Sequence, residues 1–268
     1  MTILLENLKP ANCAGIAIDC LNTFMKADGQ LSISAYQKAV KGLNQEEVQT
    51  QIDAMARRTG ELRHCLFAAN VPQIQFQDAH VIESVHGKRF HSMEIVRTGE
   101  QPDFVRTFPP HALLDKNRRF GTADQQCVDE TVIRNSKKVY IRWFEPQLPA
   151  DAILEPQREL IFFKDDFCMS PGTPFIHSLF WELRRQGRFY LIVFGVCDEI
   201  CNLRNVMLML AAVFNVIYVK DCTFPLSPQQ REVAIDYLQN FNPLGQGATG
   251  QFLVVTAHEL LQKFGGKS

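Results

Sequence analysis

The chain has 268 residues, of which 46% are hydrophobic, and a formal net charge of −1 from 28 basic and 29 acidic residues. This balance argues against a nucleic-acid or anionic-membrane surface, since both need a concentrated excess of Lys and Arg. No apolar run reaches the roughly 18–20 residues that span a bilayer. The start of the chain also lacks a signal-peptide pattern. We therefore expect a cytoplasmic protein that binds neither nucleic acid nor membrane.

Short apolar runs alternate with segments of helical spacing along the chain. Strands are predicted at 14–18, 74–76, 138–144, 160–163, 189–196, 216–219 and 252–255. Helices are predicted at 44–70, 173–185, 200–214, 227–240 and 257–264. Continuous apolar strands that alternate with helices indicate an open, mainly parallel sheet with helices on both faces, the α/β class. We predict one domain over 1–268, with a polar excursion from the sheet at about 80–158.

Three chemically distinct groups follow predicted strands, at the sheet edge where α/β proteins bind ligands. Asp19 follows the first strand and Lys164 follows the strand at 160–163. The segment Gly195–Cys201 follows the most apolar strand and opens a helix. A cysteine in the first turn of a helix favours the thiolate, a lysine favours it further, and an aspartate can take the proton. Taken singly, each residue fits an ordinary role as a turn residue, a surface charge or a buried thiol.

The eight cysteines are predicted to be free thiols. The chain is long, lacks a secretion signal and carries several cysteines in apolar runs, which disfavours a disulfide framework. One of the thiols could then be a nucleophile.

The segment after the strand at 74–76 reads Asp78-Ala79-His80 and continues to His86. A carboxylate and two imidazoles suit a divalent metal such as Zn, Mn or Fe, and three protein ligands leave room for water or substrate. The alternative is a set of surface histidines in a polar loop. The order of this motif, after Asp19 and before Lys164, favours the metal site.

These motifs resemble those of the isochorismatase-like cysteine hydrolases, and most of all the nicotinamidases. That family has an Asp after its first strand, a Lys after a middle strand and a Gly-Val-Ala-Thr-Asp-x-Cys type motif. The resemblance implies that Cys201 is the nucleophile, with Asp19 and Lys164 as catalytic partners. It also implies an oxyanion hole from the backbone N–H groups of Cys197 and Cys201, and a cis peptide bond between Val196 and Cys197.

The same resemblance implies the walls of a substrate pocket. The stretch from Asp19 to Phe24 resembles the family's Asp-x-Gln-x-x-Phe, in which the aromatic residue stacks on the substrate ring. Phe108-Pro109-Pro110-His111 resembles a Trp/Phe-Pro-x-His segment, which implies that Phe108 forms a second wall and that His111 lies near the metal. His91 is an additional histidine that could face the same site, and it is a weaker candidate than the others.

This chain departs from the family motif near the expected pocket. Cys197 and Asp198 stand where Ala-Thr is usual, and Glu199 stands where Asp is usual. Leu21 replaces a common Gln, and the segment 121–159 is longer than a compact member needs. These changes affect the choice of substrate more than the type of reaction.

The resemblance implies a metal-assisted cysteine amidohydrolase without an organic cofactor. The expected reaction converts nicotinamide to nicotinate and ammonia through a thioester, and the expected partner is a small amide. Family members often form dimers or tetramers, so a homo-oligomer is also expected. One alternative is another small amide or ureido substrate, or isochorismatase-type activity. Another is a catalytically silent scaffold, which the triad of Asp19, Lys164 and Cys201 disfavours.

Overall fold

The computed structural model describes residues 5–80, 84–85, 88–89, 92, 95–97, 99–104, 106–114, 122–142, 149, 152–167, 169, 174–241 and 250–265. Its strands are β1 Cys13–Ile18, β2 Gln73–Asp78, β3 Ser84–Val85, β4 Lys88–Arg89, β5 Lys137–Ile141, β6 Arg158–Lys164, β7 Tyr190–Val196, β8 Asn215–Phe224 and β9 Phe252–Val255. Its α-helices are α1 Asn22–Met25, α2 Ile33–Lys41, α3 Gln45–Ala68, α4 Pro174–Arg185, α5 Leu203–Ala211, α6 Pro228–Asn240 and α7 Ala257–Gly265.

Seven of the strands form one sheet in the order β5-β6-β2-β1-β7-β8-β9. Every pairing within this sheet is parallel, and the sheet does not close on itself. The strands β3 and β4 form a separate antiparallel pair. The predicted open parallel α/β fold is therefore confirmed. Among the described residues, no helix is both long and apolar enough to cross a bilayer.

The two faces of the sheet are covered by different helices. On β6, Leu160 and Phe162 share one face and line a space with Phe175 and Leu179 of α4. Glu159 alternates with them and points to the opposite face, where Arg63 of α3 contacts its carboxylate. Helices on both faces leave β1, β6 and β7 almost entirely buried, and this explains their nearly continuous apolar sequences.

Local signals explain where the long helix α3 lies. The Asn44 side chain accepts the backbone N–H groups of Glu46 and Glu47, and these acidic residues lie in the first turn, next to the positive end of the helix dipole. Pro72 follows the helix and prevents its continuation.

The structure adds elements that the sequence patterns did not predict. Helix α2 was missed, although Ser32 caps its start and Gly42 ends it in the left-handed conformation. The helix predicted at 200–214 begins instead as a π-helical turn, Asp198–Asn202, and becomes α-helical at Leu203. That turn matters because it carries Cys201.

Candidate active site

The carboxyl ends of four neighbouring strands, β6, β2, β1 and β7, bring the candidate residues together. Lys164 ends β6 beside Asp78, its register partner at the end of β2. Asp19 directly follows β1, and Cys197 directly follows β7. Because parallel strands end at one edge of the sheet, residues distant in the sequence meet there.

Lys164 is the centre of this cluster. Its Nζ lies 2.8 Å from Oδ2 of Asp19, contacts Oδ1 of Asp78 and lies 3.8 Å from Sγ of Cys201. All four side chains are buried. A buried ammonium between two carboxylates is held in a fixed place, next to the thiol on which it can act.

The backbone holds Asp19 in an unusual conformation. Its φ is +49°, in the left-handed region, which a non-glycine residue rarely adopts. Its N–H donates to the carbonyl of Phe76 at 2.9 Å, and its Oδ1 accepts the N–H of Asp78 at 2.8 Å. These bonds between β1 and β2 fix the carboxylate with its second oxygen toward Lys164.

Cys201 lies in the π-helical turn that follows β7. The peptide bond between Val196 and Cys197 is cis, as the family resemblance implies. Gly195 precedes it with φ +121°, and a Cβ at this position would lie 1.9 Å from the carbonyl oxygen of Ile18. Only glycine therefore permits β7 to approach the end of β1 this closely.

The buried cluster changes the acidity of its members. Burial and the nearby charge of Asp78 raise the pKa of Asp19 to about 7, against the opposing effect of Lys164. Burial opposes the ionised form of Asp78, but Lys164 and His80 outweigh it and hold its pKa below the usual range. Burial raises the pKa of Cys201 well above its ordinary value, although Lys164 opposes the rise. The thiol therefore needs a base, and Asp19 is poised near neutral pH to act as one.

The second oxygen of Asp78 faces two histidines. Its Oδ2 lies 3.8 Å from Nε2 of His80 and 4.0 Å from Nε2 of His111. Asp78, His80 and His111 offer ligand atoms within 4.8 Å of one another, and all three residues are buried. Asp78 therefore links the lysine cluster to a candidate metal site.

The donor set fits a divalent metal. Nδ1 of His80 lies 3.1 Å from Asp165, and Nδ1 of His111 lies 2.7 Å from the carbonyl of Pro109. Such contacts orient an imidazole so that Nε2 is the ligand atom. Burial lowers the pKa of His111 to about 3, with a further contribution from His80, so its ring is neutral as metal binding requires.

A narrow pocket with a cavity volume of about 20 Å³ lies beside Asp78 and Cys201. Its described lining is Phe24, Leu31, Asp78, Phe108, His111, Phe167, Cys197, Ile200, Cys201 and Leu226. The ring of His111 lies edge-on to Phe24 at 5.4 Å and to Phe108 at 6.2 Å, between ring centres. Aromatic and aliphatic walls around a few polar groups suit a flat, uncharged molecule.

The structure places most of the predicted site residues together. Asp19, Lys164 and Cys201 form the cluster, while Phe24, Phe108 and Cys197 line the pocket. His86 and His91 lie outside the described residues. Seven of the eight cysteines are free thiols, as predicted, while Cys168 lies outside the described residues; the seven are Cys13, Cys20, Cys65, Cys127, Cys197, Cys201 and Cys222.

The structure adds detail to the expected position of His111. The sequence motif places His111 near the metal, and the structure puts its Nε2 beside Asp78, at nearly the same distance as that of His80. Asp165, which contacts His80, was missed although it immediately follows Lys164. The spacing of Asp78 and His80 could not reveal His111, since a chain excursion separates them.

Solved structures share this architecture. A nicotinamidase/pyrazinamidase from Acinetobacter baumanii is 18% identical with a TM-score of 0.60, covering 95% of this chain and 100% of that one. An L. infantum protein in complex with nicotinate is 15% identical with a TM-score of 0.57, covering 94% and 96%. An isochorismatase-like hydrolase from Alkaliphilus metalliredigens is 14% identical with a TM-score of 0.53, covering 94% and 98%.

The chain has the fold of the isochorismatase-like hydrolases and nicotinamidases. No protein-family model matches the sequence, and no curated protein matches it. The resemblance seen in the sequence motifs is thus confirmed for the fold.

Proposed function

We propose that the protein is a cysteine amidohydrolase that cleaves a small, flat, uncharged aromatic amide, with nicotinamide as the specific candidate. The observation that carries the proposal is the position of Lys164, in contact with both carboxylates and 3.8 Å from the Cys201 sulfur. A structural role alone does not require a thiol and two acids around one lysine below a pocket.

The first half of the reaction uses Asp19 as base and then as acid. Asp19 accepts the proton of the Cys201 thiol while sulfur bonds to the amide carbonyl carbon. The backbone N–H groups of Cys197 and Cys201 hold the oxyanion, and losing one such donor commonly costs about 3–4 kcal/mol. Asp19 then protonates the nitrogen, the C–N bond breaks and ammonia leaves, so the acyl group remains on Cys201 as a thioester.

The second half restores the enzyme. Asp19, again a carboxylate, takes a proton from water as the oxygen bonds to the thioester carbon. The C–S bond breaks, Asp19 returns its proton to the sulfur, and the carboxylic acid leaves with the thiol regenerated. Lys164 keeps its charge throughout and holds the Asp19 carboxylate and the Cys201 sulfur close to each other.

Asp78, His80 and His111 would hold the divalent metal. When bound there, the metal supplies a Lewis acid at the pocket wall. The pocket walls would orient the ring, because Phe24 and Phe108 both line the pocket and both contact His111. The L. infantum neighbour, solved with nicotinate, supports a pyridine-carboxylate product for this fold.

Ammonia release from nicotinamide by the metal-loaded protein tests the proposal. We expect turnover by the native protein and none above background by Cys201→Ala. If nicotinamide is inert while another small amide releases ammonia, the specific substrate is wrong. If Cys201→Ala retains the activity, the whole mechanism is wrong.

A further inference from the structure

Asp198, next to the pocket, is a buried carboxylate that the proposed mechanism does not use. Its side chain is 1% exposed. The hydroxyl of Tyr218 donates to its Oδ1 at 2.5 Å, and the amide of Asn202 donates to the same oxygen at 3.2 Å. Nε of Arg231 lies 3.0 Å from Oδ2. Burying a carboxylate costs free energy of desolvation even when three partners surround it. We therefore ask which part of the structure this carboxylate keeps in place.

Arg231 connects this carboxylate to two further elements. It lies on α6, and its guanidinium also donates to the carbonyl of Lys220 and, at 3.0 Å, to the hydroxyl of Thr223. Lys220 and Thr223 belong to the end of β8. Asp198 is therefore braced from outside its own turn by a helix and a strand.

Asn202 connects Asp198 by hydrogen bonds to the loop Gly195–Cys201, which carries the reactive cysteine. Its amide donates both to Asp198 and, at 3.0 Å, to the carbonyl of Gly195, just before the cis peptide. Its own N–H donates to the carbonyl of Cys197 at 3.0 Å. The network thus contacts the loop on both sides of Cys197 and immediately after Cys201.

We propose that Asp198, together with Tyr218 and Arg231, is a positioning group that fixes the oxyanion-binding N–H groups of Cys197 and Cys201. The inference rests on the proposed function, because it assigns a task to the same loop. Asp198 stands where the resembled motif has threonine, so a charged brace of this kind belongs to this chain. None of the three side chains lines the described pocket, so their effect on the reaction is indirect.

An aldehyde probe separates this role from substrate turnover. The Cys201 thiol adds to the carbonyl of pyridine-3-carbaldehyde: an S–C bond forms, the C=O π bond breaks and the thiol proton passes to Asp19 or to the new oxygen. The adduct resembles the tetrahedral intermediate, so its stability reports on the oxyanion site. The alkylation rate of Cys201 by iodoacetamide reports instead on the thiol, Lys164 and Asp19.

The variants are Tyr218→Phe and Asp198→Asn, both in the metal-loaded protein. Tyr218→Phe removes one hydroxyl from the network and is the decisive variant if Asp198→Asn does not fold. Glu232→Gln is the matched control, since Glu232 neighbours Arg231 on α6 and makes an exposed pair with Lys220 at 3.0 Å.

We expect aldehyde affinity to fall about tenfold in both variants, with the alkylation rate within about twofold of native, because only the oxyanion site is displaced. Glu232→Gln should change neither value. Aldehyde affinity within twofold of native in Tyr218→Phe would overturn the proposal, as would a parallel loss of both readouts, which indicates a merely structural role.

The two proposals fail in different ways. If the native protein forms the adduct on Cys201 and the variants weaken it, but nicotinamide releases no ammonia, the substrate is wrong and the positioning role stands. If no adduct forms on native Cys201, the positioning role is overturned.

Discussion

Strand β6 carries a buried charge near each end, and the two ends differ in how those charges are matched. Glu159 contacts Arg63 and accepts hydrogen bonds from Gln75 at 2.6 Å and Ser136 at 3.1 Å. Lys164 faces two carboxylates and a thiol. The Glu159 end is a one-to-one ion pair with neutral donors around it, while the Lys164 end has an excess of acid.

This difference distinguishes a stabilising pair from a reactive cluster. At the Glu159 end, one carboxylate is matched by one guanidinium. At the Lys164 end, burial and Asp78 raise the pKa of Asp19 to about 7, so one proton can move near neutral pH. Only the Lys164 end lies at the carboxyl edge of the sheet, below the described pocket.

Removing the proposed base, Asp19, should lower the activity more than any other change. Asp19→Asn keeps the shape of the side chain but cannot accept the thiol proton, so kcat should fall by about 10³-fold or more. Steady-state ammonia release measures this. Asp166→Asn, an exposed aspartate after β6, is the control and should leave kcat within about twofold. A loss of less than tenfold in Asp19→Asn would assign the proton transfer to another group.

The pH profile should show the titration of the same base. Because the pKa of Asp19 is raised to about 7, its reactive carboxylate form is depleted below that pH. We expect kcat/KM to rise about tenfold per pH unit up to about pH 7 and then to level off. With an ordinary aspartate, the profile would be flat between pH 5 and 8, and a flat profile would contradict the account.

Removing a histidine of the candidate metal site tests whether that site binds a metal. His111→Ala should lose bound metal, with affinity at least about 10-fold to 100-fold weaker and activity reduced in parallel. Metal content by elemental analysis, with and without chelator, measures this. His64→Ala removes an exposed histidine of α3 and should retain the metal content of the native protein. Unchanged metal content in His111→Ala would place the site elsewhere.

Removing the ion pair between Glu159 and Arg63 should reduce the stability of the fold without changing the rate of the reaction. Glu159→Gln leaves Arg63 buried without its countercharge, so the free energy of unfolding should fall by about 3–5 kcal/mol. Its kcat per folded molecule should stay within about twofold. Urea unfolding provides the comparison, with Glu155→Gln, which removes a half-exposed partner of Arg158, costing less than about 1 kcal/mol. A large fall in kcat for Glu159→Gln would erase the distinction between the ends.

A substitution in the pocket wall should have a smaller effect than the other substitutions. Phe24→Leu keeps an apolar side chain but loses the aromatic edge against His111, so KM should rise about threefold to tenfold with little change in kcat. Phe189→Leu alters an exposed ring and serves as control. An equal rise of KM in both variants would remove Phe24 from the substrate site.

The strands that carry the Lys164 end were predictable because their sequences have a simple cause. Strands β1, β6 and β7 are buried on both faces and are nearly continuous apolar runs, so the polar residue at or just after the end of each marks the edge of the sheet. That logic located Asp19 and Lys164, whereas Asp78 was found from its spacing to His80. The choice of Cys201 over Cys197 needed the family motif, since both cysteines line the pocket.

Other features depend on contacts between distant segments. The role of His111 follows from how the chain returns to Asp78, and the partners of Asp198 come from β8 and α6. The π-helical turn arises where β7 meets β1, at a contact that a periodic pattern does not encode. The boundaries of isolated elements were therefore easier to predict than the groups that face each other.

Trapping the covalent intermediate would show directly whether Cys201 is the nucleophile. Metal-loaded protein mixed with nicotinamide is quenched in acid within the first turnovers, digested and mapped by mass spectrometry. We expect a nicotinoyl group on Cys201 in the native protein and none in Asp19→Asn. Ammonia release with the acyl group on Cys197, or with no acylated cysteine, would contradict it.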